Sequence, residues 1–242
     1  MNDLPQFFIN IENITNDNVL ITGSDSYHLS RVRRVKPGVK IILRADDGRG
    51  FIAKVEDITP AGIHAKIINE YKNDNSIPEI TLYMALLKGG NFEFVIQKTV
   101  ELGVSRIVPV VTERTIPDPL KMNAGKLERW EKITNEACKQ CLRVSPAFIE
   151  SPMTFKDVIT EDVKDLKIIC HPGADIQIKN ILGTTINRKF ISILIGPEGG
   201  FSEKEISEAQ KNEWIPVNLG ATHLRAETAA LVIPSIVIYE WS

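Results

Sequence analysis

The stretch LIGPEGGFSEKE, residues 194–205, decides how the second half of this chain is read. It closes the apolar run FISILI with Gly196, then sets a proline, a carboxylate and two glycines ahead of Ser202. Ser202 with Glu205 three residues on is a capping-box pattern, so a helix is expected to begin there. The run before it is continuous and apolar, as in strands of parallel sheets covered by helices on both faces. GPEGG then falls at the C-terminal end of a parallel strand, where open α/β sheets bind ligands. Gly199 and Gly200 remove side chains and permit close backbone approach. A simple strand-to-helix turn accounts for the same residues, and the spacing is not the G-x-G-x-x-G of dinucleotide sites. Taken alone, the stretch leaves a turn and a ligand loop both open.

Working outward, ITLYMALL (80–87), RIVPVV (106–111), KIIC (167–170) and IPVNL (215–219) are further apolar runs of strand length. Between them, NFEFVIQKTVELG has apolar residues at helical spacing and ends on Gly103, a suitable C-terminal cap. AGKLERWEKITNEACKQCLR and EKEISEAQKN read as amphipathic helices. AETAALVIPSIVIYEW closes the chain as an almost wholly apolar helix interrupted by Pro234. An α/β domain over 79–242 follows. Ahead of it, NEYKNDNSIPEI is polar and turn-rich, and Pro78 disfavours helix in the residue before it, which suggests a linker at 73–78. Residues 1–72 are strand-like: KIILRADDGRGFIAKVEDI reads as two strands around an Asp47-Gly48 turn, and GIHAKII as another. A small β-barrel or sheet fits this rhythm.

The 242 residues, 43% hydrophobic and 25% charged, suit one large or two modest globular domains. Net charge is −2, so a basic binding surface has to be local. The start MNDLPQFFIN lacks the pattern of a signal peptide, no apolar stretch has the length of a membrane span, and three cysteines form an odd set. A cytoplasmic protein with reduced thiols is expected, without membrane association. From His28 to Lys54 the chain carries Arg31, Arg33, Arg34, Lys36, Lys40, Arg44, Arg49 and Lys54 against Asp46 and Asp47 alone. That run is either a patch for nucleic-acid phosphates or a solvated face. Cys138 and Cys141 form a C-x-x-C on an expected helix without further ligands at metal-site spacing, so packing is the expected role and no metal is expected. Hydrolase-elbow, zincin and P-loop motifs do not occur.

A second loop sharpens the reading of the first. LGATHLRAETAAL, 219–231, also follows an apolar strand and sets Gly220, Arg225, Glu227 and Thr228 ahead of the last helix. Arg225 and Glu227 form either a surface ion pair or part of a site. Two polar, glycine-bearing loops at strand ends of one sheet suggest a shared pocket. Neither supplies an obvious nucleophile, which suits group transfer by alignment and electrostatics.

At this point the chain resembles a known family, the ribosomal RNA small subunit methyltransferase E (RsmE) group of the SPOUT superfamily. The resemblance is carried by LIGPEGGFSEKEI with LGATHLRAETAA, by HLSRVRRVKPG, and by the blocks KGGNFEFVIQKTVELGVSRIVPVVTERT and RWEKITNEACKQCLR. It implies methylation of uracil N3 of one uridine in 16S rRNA from S-adenosyl-L-methionine, without a covalent enzyme intermediate. It also implies a PUA-like β-barrel, a parallel sheet with a C-terminal trefoil knot, and a homodimer. Cofactor contacts are then expected from His171, Gly173, Leu194, Ile195, Gly196, Pro197, Glu198, Gly199, Gly200, Leu219, Gly220, Leu224, Arg225 and Thr228. Arg225 is the candidate for stabilising charge on the uracil or gripping RNA, and Glu198 and Glu227 for accepting a proton or orienting Arg225. RNA contacts are expected from Arg31, Arg33, Arg34, Arg44, Lys88, Lys98, Arg114 and Arg143. The chain departs from the family pattern at Thr222, His223, Ala226 and Leu142. The competing readings are a SPOUT methyltransferase of another RNA base and a non-catalytic RNA-binding or assembly factor.

Overall fold

The computed structural model describes residues 4–22, 35–45, 49–71, 78–116, 124–141, 143, 147–163, 166–185, 189–220 and 222–241. The chain forms two compact units, Met1–Asp74 with Lys139–Pro146, and Asn75–Cys138 with Ala147–Ser242.

In the first unit, strands β1 (Gln6–Ile9), β2 (Ile14–Thr15), β3 (Asn18–Ile21), β4 (Lys40–Ala45), β5 (Gly50–Thr59) and β6 (Gly62–Glu70) form one sheet in the order β1-β4-β5-β6-β3-β2. Arg44 pairs with Gly50 across β4 and β5, as the expected hairpin requires; residues 46–48 at its turn lie outside the described residues. β1 joins β4 in parallel, whereas the other neighbours are antiparallel. Ile21, Ile41, Leu43, Ala53, Val55 and Ile63 alternate inward from these strands and make the unit's core. β1, β2 and β3 run for four, two and four residues, too short for sequence periodicity to mark them.

The second unit is an α/β layer structure. Its strands are β7 (Glu79–Ala85), β8 (Arg106–Val111), β9 (Phe148–Ile149), β10 (Met153–Thr154), β11 (Leu166–Cys170), β12 (Phe190–Ile195) and β13 (Ile215–Val217). They follow the order β10-β8-β7-β12-β11-β13, with β9 also on β8, and every described pairing is parallel. The helices are α1 (Asn91–Leu102), α2 (Ala124–Gln140), α3 (Phe155–Ile159), α4 (Ile178–Leu182), α5 (Glu203–Lys211) and α6 (Ala226–Trp241). Continuous apolar runs become strands here because helices cover both faces. β7 and β13 end two residues before the apolar runs do, because residues 86–87 and 218–219 already belong to the loops at the strand ends. Gly103 closes α1 at φ 112°, its N–H bonded to the carbonyls of Thr99 and Val100.

Two features depart from simple expectation. Pro234 does not interrupt the last helix, which continues to Trp241. Proline removes a single N–H from the ladder, and the buried face of Ala230, Ile233, Pro234 and Val237 keeps the turns together. The strand order is the other: β12 inserts between β7 and β11, and the chain then passes to the far side of β11 to lay down β13.

A polar network crosses the apolar layer of the second unit. Tyr83 Oη donates to Glu161 Oε2 (2.7 Å) and accepts from Arg106 Nη1 (3.1 Å). Arg106 grips Glu150 with Nε (2.6 Å) and Nη2 (3.0 Å), and Nη2 also reaches Glu161 Oε1 (3.1 Å). Burial, with the bond to Glu161, pushes the Tyr83 phenol well above its usual range. Among the described residues no helix is long and apolar enough to cross a membrane.

Candidate functional site

Parallel pairing places Cys170 opposite Ile195 on one side and opposite Val217 on the other. Three adjacent strands therefore end at one level, and His171, Gly196 and Asn218 are the first residues beyond it. Their loops diverge around a cavity of about 670 Å³. His171, Gly173, Ile195, Gly196, Pro197, Glu198, Gly199, Gly200, Leu219, Gly220, Leu224 and Arg225, all expected from the sequence, line it. Leu194 and Thr228 are not part of the lining. Leu194 is fully buried in the core cluster with Tyr83, Ile169 and Trp214.

The GPEGG loop is fixed by specific bonds. Gly200 N donates to Pro197 O (2.9 Å), closing a turn centred on Glu198 and Gly199, and Gly200 beyond it takes φ 66°, which favours glycine. The capping box forms as expected: Glu205 N donates to Ser202 Oγ (3.3 Å) and Ser202 N to Glu205 Oε2 (2.9 Å), which starts α5. The segment after β8 joins it. Glu113 N donates to Glu205 Oε1 (2.9 Å), Ser202 Oγ donates to Glu113 Oε2 (2.8 Å), and Arg114 Nη1 donates to Gly199 O (2.8 Å). From the other flank, Lys88 N donates to Glu198 Oε1 (3.0 Å).

Asn218, which sequence reasoning passed over, stitches the remaining two loops. Its Nδ2 donates to Ala174 O (2.6 Å), its Oδ1 accepts from Gly220 N (3.0 Å), and its main chain bonds Ile176 and Ile178. An asparagine directly after a strand and before Leu-Gly is the one signal that could have marked it. Asn91, Arg114, Cys170, Pro172, Phe201, Glu203, Val217, Asn218, Thr222, His223, Ala226, Glu227 and Ala229 also line the cavity. Burial pushes the Cys170 thiol well above its usual range, so it stays protonated and is a poor nucleophile. Arg225 supplies the carbonyl that accepts the first helical bond of α6, from Ala229 N (2.9 Å). Its side chain is 86% exposed and lies 3.9 Å from Glu227, which is 18% exposed in the first turn.

The residues expected to contact RNA are more scattered. Arg31, Arg33 and Arg34 lie outside the described residues. Arg44 is 1% exposed and stacks its guanidinium 4.2 Å from the centre of the Tyr71 ring. A side chain so enclosed cannot grip a phosphate, so that expectation is corrected: Arg44 packs the first unit. Lys98 is paired with Glu101 Oε1 (2.9 Å) on α1, and Arg114 is engaged with the glycine loop. Lys88 is exposed and Arg143 half-buried. Among the described residues no group of three or more His, Cys, Asp or Glu could hold a metal ion.

A parallel sheet with a glycine-lined cavity at three strand ends matches a defined class: residues 73–238 fit the RNA methyltransferase domain family. The chain is 32% identical to the ribosomal RNA small subunit methyltransferase E of Buchnera aphidicola subsp. Acyrthosiphon pisum, over 95% of this chain and 90% of that one. It is 31% identical to the protein of that name from Synechocystis sp., over 91% and 73%. A crystal structure of ribosomal RNA small subunit methyltransferase E from Neisseria gonorrhoeae, bound to S-adenosyl methionine, superposes with a TM-score of 0.83 at 29% identity, covering 98% of each chain. This chain belongs to the ribosomal RNA small subunit methyltransferase E family.

Proposed function

We propose that the protein uses S-adenosyl-L-methionine to methylate N3 of a uracil in 16S rRNA of the small ribosomal subunit, by direct transfer. The observation that carries this reading is the joint ending of β11, β12 and β13 on one glycine-lined cavity. A site without an activated nucleophile suits alignment of two reactants better than covalent catalysis.

The residues present fit the cofactor. The cavity of about 670 Å³ lies within the roughly 300–1,000 Å³ of small-molecule sites. Ile195, Val217, Leu219 and Leu224 give it aliphatic walls suited to a purine, while main-chain groups at the three strand ends offer donors and acceptors. Residues 195–200, 219–220 and 224, with His171 and Gly173, would hold it. Bound there, the cofactor supplies an electrophilic methyl group on a sulfonium.

The chain's own residues then act on the uracil. N3 becomes nucleophilic as its proton leaves, and negative charge spreads to the flanking carbonyl oxygens. Arg225, an exposed side chain of the cavity lining, would stabilise that charge. Glu227 either orients Arg225 or takes the proton. N3 lies on the pairing edge, so the base has to be unpaired or turned out of its stack. Arg31, Arg33 and Arg34 would dock RNA phosphates in a PUA-like first unit. A homodimer and a C-terminal trefoil knot complete the proposal, the latter supported by the passage of the chain from β12 across β11 to β13.

Calorimetric titration with S-adenosyl-L-methionine, followed by mass mapping of 16S rRNA from a deletion strain with and without the restored gene, tests this reading. Uptake of the cofactor and a restored uracil-N3 methyl group support it. A chain that only binds RNA takes up no cofactor, and a methyl group at another base overturns the substrate assignment. Arg225→Ala should keep cofactor affinity and lose about 100-fold in turnover, in line with removal of one charge-stabilising group.

A further inference from the structure

Glu198 is the bare carboxylate of the GPEGG loop and, by sequence, a candidate proton acceptor. The geometry points to a different role. We propose that Glu198 is a positioning residue: it ties the loop to the main chain at Lys88 and accepts no proton from the substrate. This rests on the cofactor-pocket reading above and assigns a role to a single loop residue within it.

Consecutive residues of the loop are held from two separate strand ends. Glu198 Oε1 accepts from the main-chain N–H of Lys88, in the segment between β7 and α1. The next carbonyl, of Gly199, accepts from Arg114 Nη1 in the segment after β8. The Arg114 stem also lies flat on Gly199, with Cβ and Cδ 3.4 and 3.5 Å from where a Gly199 side chain would begin. In the sheet, β7 is the neighbour of β12 and β8 the neighbour of β7, so the two bonds anchor the loop to successive strands. The three glycines of the loop line the cavity, where their backbone would meet a ligand. A displacement of about 1 Å in such a wall is enough to weaken binding and misalign a transfer.

The bond to Lys88 needs an oxygen lone pair at the right reach and neither a negative charge nor basicity. This separates the two roles by chemistry. Glutamine keeps the acceptor oxygen and the side-chain length but cannot serve as a base. Aspartate keeps the carboxylate but is one methylene too short to reach Lys88 N. A positioning residue therefore tolerates glutamine and not aspartate, whereas a proton acceptor tolerates aspartate better than glutamine.

The experiment compares Glu198→Ala, Glu198→Asp and Glu198→Gln with the unaltered protein. It measures Kd for S-adenosyl-L-methionine by calorimetry, single-turnover rate at saturating cofactor, and exchange of the Lys88 amide proton by NMR. Alanine and aspartate are expected to raise Kd about ten-fold, the equivalent of one net hydrogen bond, and to speed Lys88 exchange. Glutamine should recover affinity to within about three-fold and restore protection of the amide. Unchanged Kd in glutamine with turnover down 100-fold, alongside an active aspartate variant, overturns the proposal in favour of a base. Equal Lys88 exchange in all four proteins overturns it too, and that readout needs no ligand. If the unaltered protein takes up no cofactor, the functional reading fails while the exchange data still judge Glu198.

Discussion

Replacing Glu205 with alanine measures how firmly the loop and helix at the cavity are held. Glu205 is 5% exposed, and its two oxygens accept the main-chain N–H groups of Ser202 and Glu113, each at 2.9 Å. Alanine leaves both donors without that acceptor, and an orphaned buried donor costs about 1–3 kcal/mol. Water admitted into the space left by the side chain satisfies part of the loss, so a total of roughly 3 kcal/mol is expected. For a chain of this size about 2–4 °C is lost per kcal/mol, giving a fall in Tm of about 6–12 °C. Scanning calorimetry reads it directly. Glu205→Gln keeps one acceptor oxygen but turns an NH2 towards a donor, so it should lose about half as much. A fall of less than about 2 °C for alanine, or equal losses for both variants, refutes the view that this carboxylate ties the segment after β8 to α5.

Two further outcomes are expected. Arg114→Ala removes the donor to Gly199 O and the stem beneath that glycine, and should weaken cofactor binding about ten-fold by calorimetry while Arg114→Lys recovers only part. Tyr83 has a pKa raised above its ordinary 10.0, so the folded state favours its protonated form; that stabilisation is complete below about pH 10 and is lost as pH climbs towards the raised value. Denaturation midpoints should therefore fall more steeply above about pH 10 in the unaltered protein than in Tyr83→Phe, and parallel slopes would sink the assignment.

What sequence reading reached and what it missed divide along a physical line. FISILI, the Ser202–Glu205 capping box and the Gly103 cap were legible because each depends on residues a few positions apart. The two glycine loops were legible as a pair because each follows an apolar run. The bonds that tie the glycine loop and the start of α5 to the segments after β7 and β8 span 85 to 110 residues, as between Arg114 and Gly199 or Lys88 and Glu198, and no local pattern encodes them. Arg44 stands in a basic run that reads as surface, yet it is buried on the face of β4 opposite Ile41, Leu43 and Ala45, stacked on Tyr71. The hub at Asn218 was missed because an asparagine at a strand end is an ordinary turn signal.

The alignment of three strand ends has a pharmacological consequence. A wall built from main chain keeps its shape while side chains drift, and at 29% identity the gonococcal relative still superposes with a TM-score of 0.83. A compound that reads that wall through hydrogen bonds to main chain would be little affected by substitution of the side chains around it. Selectivity for this chain would have to come from the rim, where Thr222 and His223 present side chains to the cavity.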